Sequence, residues 1–340
     1  MYKRHEVDGK LQEAIDKGIS KSLYGGKIQD VGQPASGGRT EKFWRHARSI
    51  IPYFLLFRKG PEKIPTSFSF WSPEGGMKHF NLKGWEFGNW LSQEDRLNYV
   101  CATNIALYDL AKVLGVSAKR IGLGGYLTMS IGARGKSKAR AHFEPSNWVI
   151  NLTRYYPHKK FKDSPFGDYT SLSKEKLFAV TGGVGSLGHE YIHFLDYWFG
   201  GFVDKSPIDF SLSGGRSIDS VIDLSLLKKN TLRGQTAKIL KAIIYKDERM
   251  TTFTPYYRNL YQRVHTDDRR IKIPSYWIRK NELLARAGEQ AISIILKEKG
   301  IRNDFLVKNK YEDAVYMPPA LAKKVTPLFK RLFGIMKRQF

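Results

Sequence analysis

Two spacings of apolar residues alternate along this chain, and the switches between them lay out an α+β protein. Over 92–114 an apolar stripe runs through Leu97, Val100, Ile105, Leu107 and Leu110. With Ser92 as N-cap, acids in the first turn and Gly115 as the stop, that stripe predicts a helix. Over 122–153 the period shortens to two, and residues 126–131, 140–143 and 148–152 read as short strands broken by glycines and Pro145. Helical spacing then returns at 186–199, in weaker stretches at 218–227 and 236–245, and again at 280–299. A small sheet among helices is expected.

The tail opens with Pro318-Pro319 and sets Lys323, Lys330 and Lys337 seven residues apart, as it does Lys324, Arg331 and Arg338. Beside them run Leu321, Val325, Leu328, Leu332 and Ile335, with no acid among them. This amphipathic pattern suits either a nucleic acid or anionic surface, or packing of the apolar side on the body. Pro327 is expected to kink the helix or split it. Residues 1–45 are polar and glycine-bearing and predict an arm without a core of its own, leaving 46–300 as the body and 301–340 as a basic tail. The longest apolar run, 50–57, contains Pro52 and falls well short of the roughly 20 residues of a membrane span. The first residues lack the apolar core of a signal peptide, so a cytoplasmic location is expected.

With 41% apolar and 13% aromatic residues in 340, the chain can bury a core, which excludes wholesale disorder. Against 57 Lys+Arg stand 32 Asp+Glu, and the difference of +25 draws polyanions, nucleic acid first. Arg134, Lys136, Lys138 and Arg140 recur at every second residue; on a strand they would line one face for an anion, and in a loop they would be solvated. The single cysteine, Cys101, excludes a disulfide framework, a four-cysteine zinc site and an iron–sulfur cluster.

The stretch richest in chemistry is His-Glu-Tyr-Ile-His at 189–193. On a helix, with His189 at zero, His193 falls near about 40°, Asp196 near about −20° and Glu190 near about 100°. Leu187, Tyr191, Phe194, Leu195 and Trp198 take the opposite side and anchor the helix in the core. Two imidazoles one turn apart reach a single Zn2+, and Glu190 is left to one side as a base for a water activated there. A catalytic zinc needs a third ligand, and the position ten after His189 is Phe199, which rules out a third histidine in an extended motif. Glu282 is the candidate, at the start of the 280–299 helix with the small Ala285 beside it; Glu289, two turns on, is the alternative. Gly183-Val184-Gly185-Ser186-Leu187-Gly188 also fits a dinucleotide-binding turn, but no strand–helix–strand alternation follows. Its glycines read better as the flexible lead-in to the histidine helix.

Six blocks in order resemble a known family: Gly-Trp-Glu-Phe-Gly-Asn-Trp at 84–90, Asp-Leu-Ala-Lys-Val-Leu-Gly at 109–115, Ile-Gly-Ala-Arg-Gly at 131–135, Ala-His-Phe-Glu-Pro at 141–145, Val-Ile-Asn-Leu-Thr at 149–153 and Gly-Ser-Leu-Gly-His-Glu at 185–190. Together they resemble, over 80–295, the first-type large polyvalent protein-associated domain, a zincin-like module of phage and conjugative-element proteins. The resemblance implies an α+β, gluzincin-type metallopeptidase with a small sheet and an active-site helix pair. It implies Zn2+ on His189, His193 and Glu282, Glu190 as the proton-transferring base, Tyr276 beside the scissile carbonyl and Asp196 orienting a ligand imidazole. The substrate would be a host or element protein, pairing with a strand edge expected at 148–153. Packaging in a virion, or transfer with DNA into a recipient's cytoplasm, follows from the same likeness. The chain departs from the usual family form at Ile192, Phe194 and Gly288. The competing expectation is a DNA-associated accessory protein with a structural or vestigial metal site, contacting DNA through Arg134, Lys136, Lys138, Arg140, Lys323, Lys330 and Lys337.

Overall fold

A computed structural model describes residues 58–61, 73–88, 93–134, 141–153, 183–205 and 210–339. The described residues divide into two compact units, one from those of 191–295 and 310–339, the other from those up to Glu190 together with Leu296–Asn309. The division differs from the expected 300/301 boundary, because the tail helix packs within the first unit while residues 296–309 join the second. The expected arm at 1–45 lies outside the described residues.

The second unit carries the sheet. Its elements are β1 (Arg58–Lys59), α1 (Pro73–Phe80), β2 (Gly84–Phe87), α2 (Gln93–Leu114), β3 (Thr128–Ile131), β4 (Ala141–Glu144) and β5 (Val149–Leu152). The strand order is β2-β3-β5-β4, parallel except for β4, which runs antiparallel to β5. One face is apolar, with Trp85, Phe87, Met129, Ile131, Ile150 and Leu152 all buried. On the other face a polar row crosses all four strands in register, Glu86 beside Ser130, Ser130 beside Asn151, and Asn151 beside His142. Ser130 Oγ donates to Asn151 Oδ1 at 2.9 Å.

That row overturns two expectations. Residues 149–152 are an interior strand, hydrogen-bonded on both sides, so they offer no edge to a peptide. Arg134 turns onto the sheet: its guanidinium forks onto the buried Glu86 at 2.5 Å and reaches the half-buried Glu144 at 3.4 Å, so its charge is paired with carboxylates instead of being held out to a phosphate. Lys136, Lys138 and Arg140 lie outside the described residues.

A second device pins α2. The short β6 (Arg302–Asn303) pairs antiparallel with β1 and brings Arg58 opposite Asn303. Both side chains converge on Asp109 of α2, Arg58 through Nε at 3.2 Å and Nη2 at 3.0 Å, Asn303 through Nδ2 at 2.9 Å. Asp109 is fully buried, and it is the charge around which two strands and a helix are fixed.

The first unit is helical: α3 (Leu187–Trp198), whose first turn the division assigns to the sheet unit, α4 (Leu224–Leu227), α5 (Leu232–Ile244), α6 (Pro255–His265), α7 (Lys280–Glu298) and α8 (Pro319–Lys337). The expected helix over 218–227 shrinks to its last turn, α4. Asp219 accepts from the Val221 N–H and Asp223 from the Ser225 N–H, and such local bonds compete with helix formation. α8 continues as one helix through Pro327, so the expected split does not occur. The ring removes one amide donor, but Pro327 and Lys323 both lie on the exposed side, where water can take the freed Lys323 carbonyl. On the other side Val325, Phe329, Leu332, Phe333 and Met336 are buried where α8 packs on α5.

Candidate metal centre

The glycine-rich lead-in to α3 is a structural turn. Gly183 and Gly185 take left-handed φ angles of 73° and 79°, and the Gly185 and Gly188 amides donate to the Phe305 and Leu306 carbonyls at 2.9 and 2.7 Å. Those amides are committed to protein oxygens, so this turn does not present them to a dinucleotide phosphate.

Once in the helix, the side chains divide as their spacing requires. Leu187, Tyr191, Phe194 and Leu195 are buried, with the Tyr191 and Phe194 rings meeting edge to face at 5.5 Å. His193, Glu190 and Asp196 are buried on the polar side, and His189 is half-buried. α7 brings up Glu282, 5% exposed, with its Oε1 3.3 Å from His193 Nε2. One donor atom from each of His189, His193 and Glu282 lies within 4.8 Å of the others.

That donor set fits zinc. Tetrahedral bonds of about 2.0–2.2 Å set neighbouring ligand atoms roughly 3.3–3.6 Å apart, and the His193–Glu282 separation of 3.3 Å falls at the short end of this edge. Two imidazoles and one carboxylate leave a fourth position open, as a catalytic site requires.

Two features set the spacing of the two helices, and a third fixes the Glu282 carboxylate on α7. The segment 211–217 bridges them: Asp196 on α3 accepts from the Ser213 amide at 2.9 Å and hydroxyl at 2.6 Å, while the Gly215 and Ser217 carbonyls accept from the Asn281 and Lys280 amides at 3.0 Å. Asp196 therefore ties the far end of the histidine helix to the residues just before Glu282. Further along, Gly288 meets Ile192 so closely that an added Cβ would sit 2.7 Å from Ile192 Cγ1. Close approach was expected at Ala285; the contact that demands a missing side chain is at Gly288, and the two sequence departures at 192 and 288 are complementary halves of one packing contact. Third, Arg286, 2% exposed, lies one turn beyond Glu282, with Nη1 3.9 Å from Glu282 Oε2. Its Nη2 donates to the Trp277 carbonyl and its guanidinium lies 5.1 Å from the Trp277 ring centre, so the charge is held in place from both sides.

Gly288→Val is expected to overpack this contact and destabilise the protein by about 1–3 kcal/mol. Ile192→Ala in the same chain should recover much of the loss. Thermal denaturation of the three variants checks this, and equal melting of wild type and Gly288→Val would dismiss the contact as the spacer.

The remaining expected residues are placed as follows. Tyr276 sits in the 3-10 turn Ser275–Ile278 directly before α7, 38% exposed, 5.3 Å from the Trp277 ring. Glu289 is turned to other work: its carboxylate accepts from Tyr316 at 3.3 Å and its carbonyl from Tyr311 at 3.4 Å. Burial first, and then the Glu289 charge, push both tyrosine pKa values up and keep the hydroxyls as neutral donors. The metal group found among the described residues uses Glu282 in place of this alternative. Arg286 and the 211–217 bridge were missed in the sequence. A cation four residues past a candidate ligand, amid Leu283, Leu284, Ala285 and Ala287, was the available signal for the first; Ser213 carried none.

Among known proteins, one family model covers the end of the chain. Residues 269–340 match large polyvalent protein-associated domain 1. The family is the one the sequence resembled, but over a different span: the match takes in Tyr276, Glu282, Arg286 and all of α8, and overlaps the six blocks' region only at 269–295. The histidines of α3 precede the matched domain segment. No curated protein and no solved structure matches the chain.

Proposed function

We propose that this chain is a zinc metallopeptidase of the zincin-like, gluzincin type, acting on a host or element protein inside a recipient or host cell. The observation that carries the reading is the convergence of His189, His193 and Glu282, on two helices, with Glu190 on the same helix as the histidines. The match to the polyvalent domain supports a phage or mobile-element setting. No helix among the described residues is long and apolar enough to cross a membrane.

His189, His193 and Glu282 would hold the ion. Zinc in such a set polarises a scissile carbonyl and brings the pKa of a water toward about 7. The Glu190 carboxylate takes the proton from the attacking water and delivers it to the leaving amine. Glu190 is 7% exposed, and that burial strengthens its interactions with nearby charge. The Tyr276 hydroxyl, in the turn leading into α7, donates to the developing oxyanion. Arg286 steadies the outer oxygen of Glu282, so that the inner one faces the histidines.

The purified chain is expected to hold stoichiometric zinc by elemental analysis and to cleave members of a quenched-fluorescent peptide library, with both lost in His189→Ala. Undiminished zinc in that variant would overturn the assignment.

A further inference from the structure

We propose that the outer face of α8 is a sequence-independent binding surface for duplex nucleic acid, working through the phosphate backbone and independently of the metal centre. The face is built by a seven-residue repeat. With Lys323 at zero, Lys330 and Lys337 fall near about −20° and −40°, and Lys324, Arg331 and Arg338 near about 100°, 80° and 60°. All six are exposed, and no acid occurs from Pro318 onward. The pairs repeat every two turns, about 10.5 Å along the axis, so three paired rungs of cations stand on one side of the helix.

The opposite side decides what can bind. Val325, Phe329, Leu332 and Met336 lie near about 180–240° and are buried where α8 packs on α5, with Gln235 Nε2 donating to the Leu328 carbonyl at 3.0 Å. A helix that enters a membrane interface does so with its apolar side, and here that side is already covered. Stacking of unpaired bases needs exposed rings, and none of the large apolar side chains exposed among the described residues lies on α8. What remains is a fixed row of charge, which suits the regular anion array of a duplex: about one phosphate per 1.7 Å of its axis. Exposed Pro327, near about 40° at the middle of the face, leaves the Lys323 carbonyl to solvent but interrupts neither the helix nor the row.

The test is fluorescence anisotropy of a labelled mixed-sequence DNA duplex with the full chain over a range of salt concentrations. Binding should weaken steeply with salt, and changing Lys323, Lys330 and Lys337 together to Gln should lower the slope of log K against log salt by about 3, uniformly across duplex sequences. The corresponding Arg triple should bind as wild type does. Melting temperature and zinc content should be unchanged in both, which separates this surface from the metal reading. If the Gln triple melts lower, the Lys324, Arg331 and Arg338 triple to Gln takes its place with the same expected loss. An unchanged slope in a folded variant, tighter binding to a single strand, or preference for phosphatidylserine vesicles over duplex would overturn the proposal.

Discussion

Glu190→Gln is expected to reduce peptide cleavage by about 10²–10⁴-fold while leaving zinc bound. The amide keeps the volume and hydrogen-bonding reach of the carboxylate but cannot take up the proton from water. His189, His193 and Glu282 keep their donor atoms, so the zinc content of the variant should equal that of wild type. Single-turnover cleavage and elemental analysis on the same sample separate the two effects. Full activity in Glu190→Gln would remove the base from the mechanism, and loss of zinc would show that Glu190 supports the site instead of acting in it. Glu282→Gln should do the reverse, giving up zinc first and activity as a consequence.

The largest effect on stability is expected far from this chemistry. Asp109→Ala should destabilise the sheet unit by about 3–5 kcal/mol, because it leaves the Arg58 guanidinium, buried beside β6, without its carboxylate. The Asn303 amide loses its acceptor in the same change, so β1, β6 and α2 are loosened together. Asp109→Asn keeps an oxygen for one of these donors and should cost less. Urea titration followed by circular dichroism gives both values; a loss below about 1 kcal/mol for the alanine variant would mean that water replaces the carboxylate.

Helix phase made the cluster of His189, His193 and Glu282 legible as a candidate site. The polar and apolar sides of α3 and the candidacy of Glu282 follow from a period of 3.6 applied to two short stretches, and α7, Lys280–Glu298, ends within a residue of its expected limit. What the sequence concealed has physical reasons. β2 is four buried residues, Gly-Trp-Glu-Phe, with no alternation of burial to mark a strand, and its Glu86 is tolerated inside only because Arg134 arrives from 48 positions away. α6 carries polar residues and tyrosines, and only Thr254 as cap and Pro255 at its first position announce it. The order of the sheet is non-local: that 149–152 would be interior depends on β3 pairing with β5, which no residue within the strand encodes. The approach of α3 to α7 is likewise a property of a pair, Ile192 with Gly288, whose contact neither position alone encodes.

The family match begins at residue 269, after Ile192 and both histidines but before Glu282 and Gly288. Recombination at that border would hand a descendant the carboxylate and its glycine while drawing the imidazoles and the isoleucine from another parent. Such a chimera would inherit mismatched halves of both a candidate ligand set and a packing contact, and would lose the fit of α3 to α7 at each.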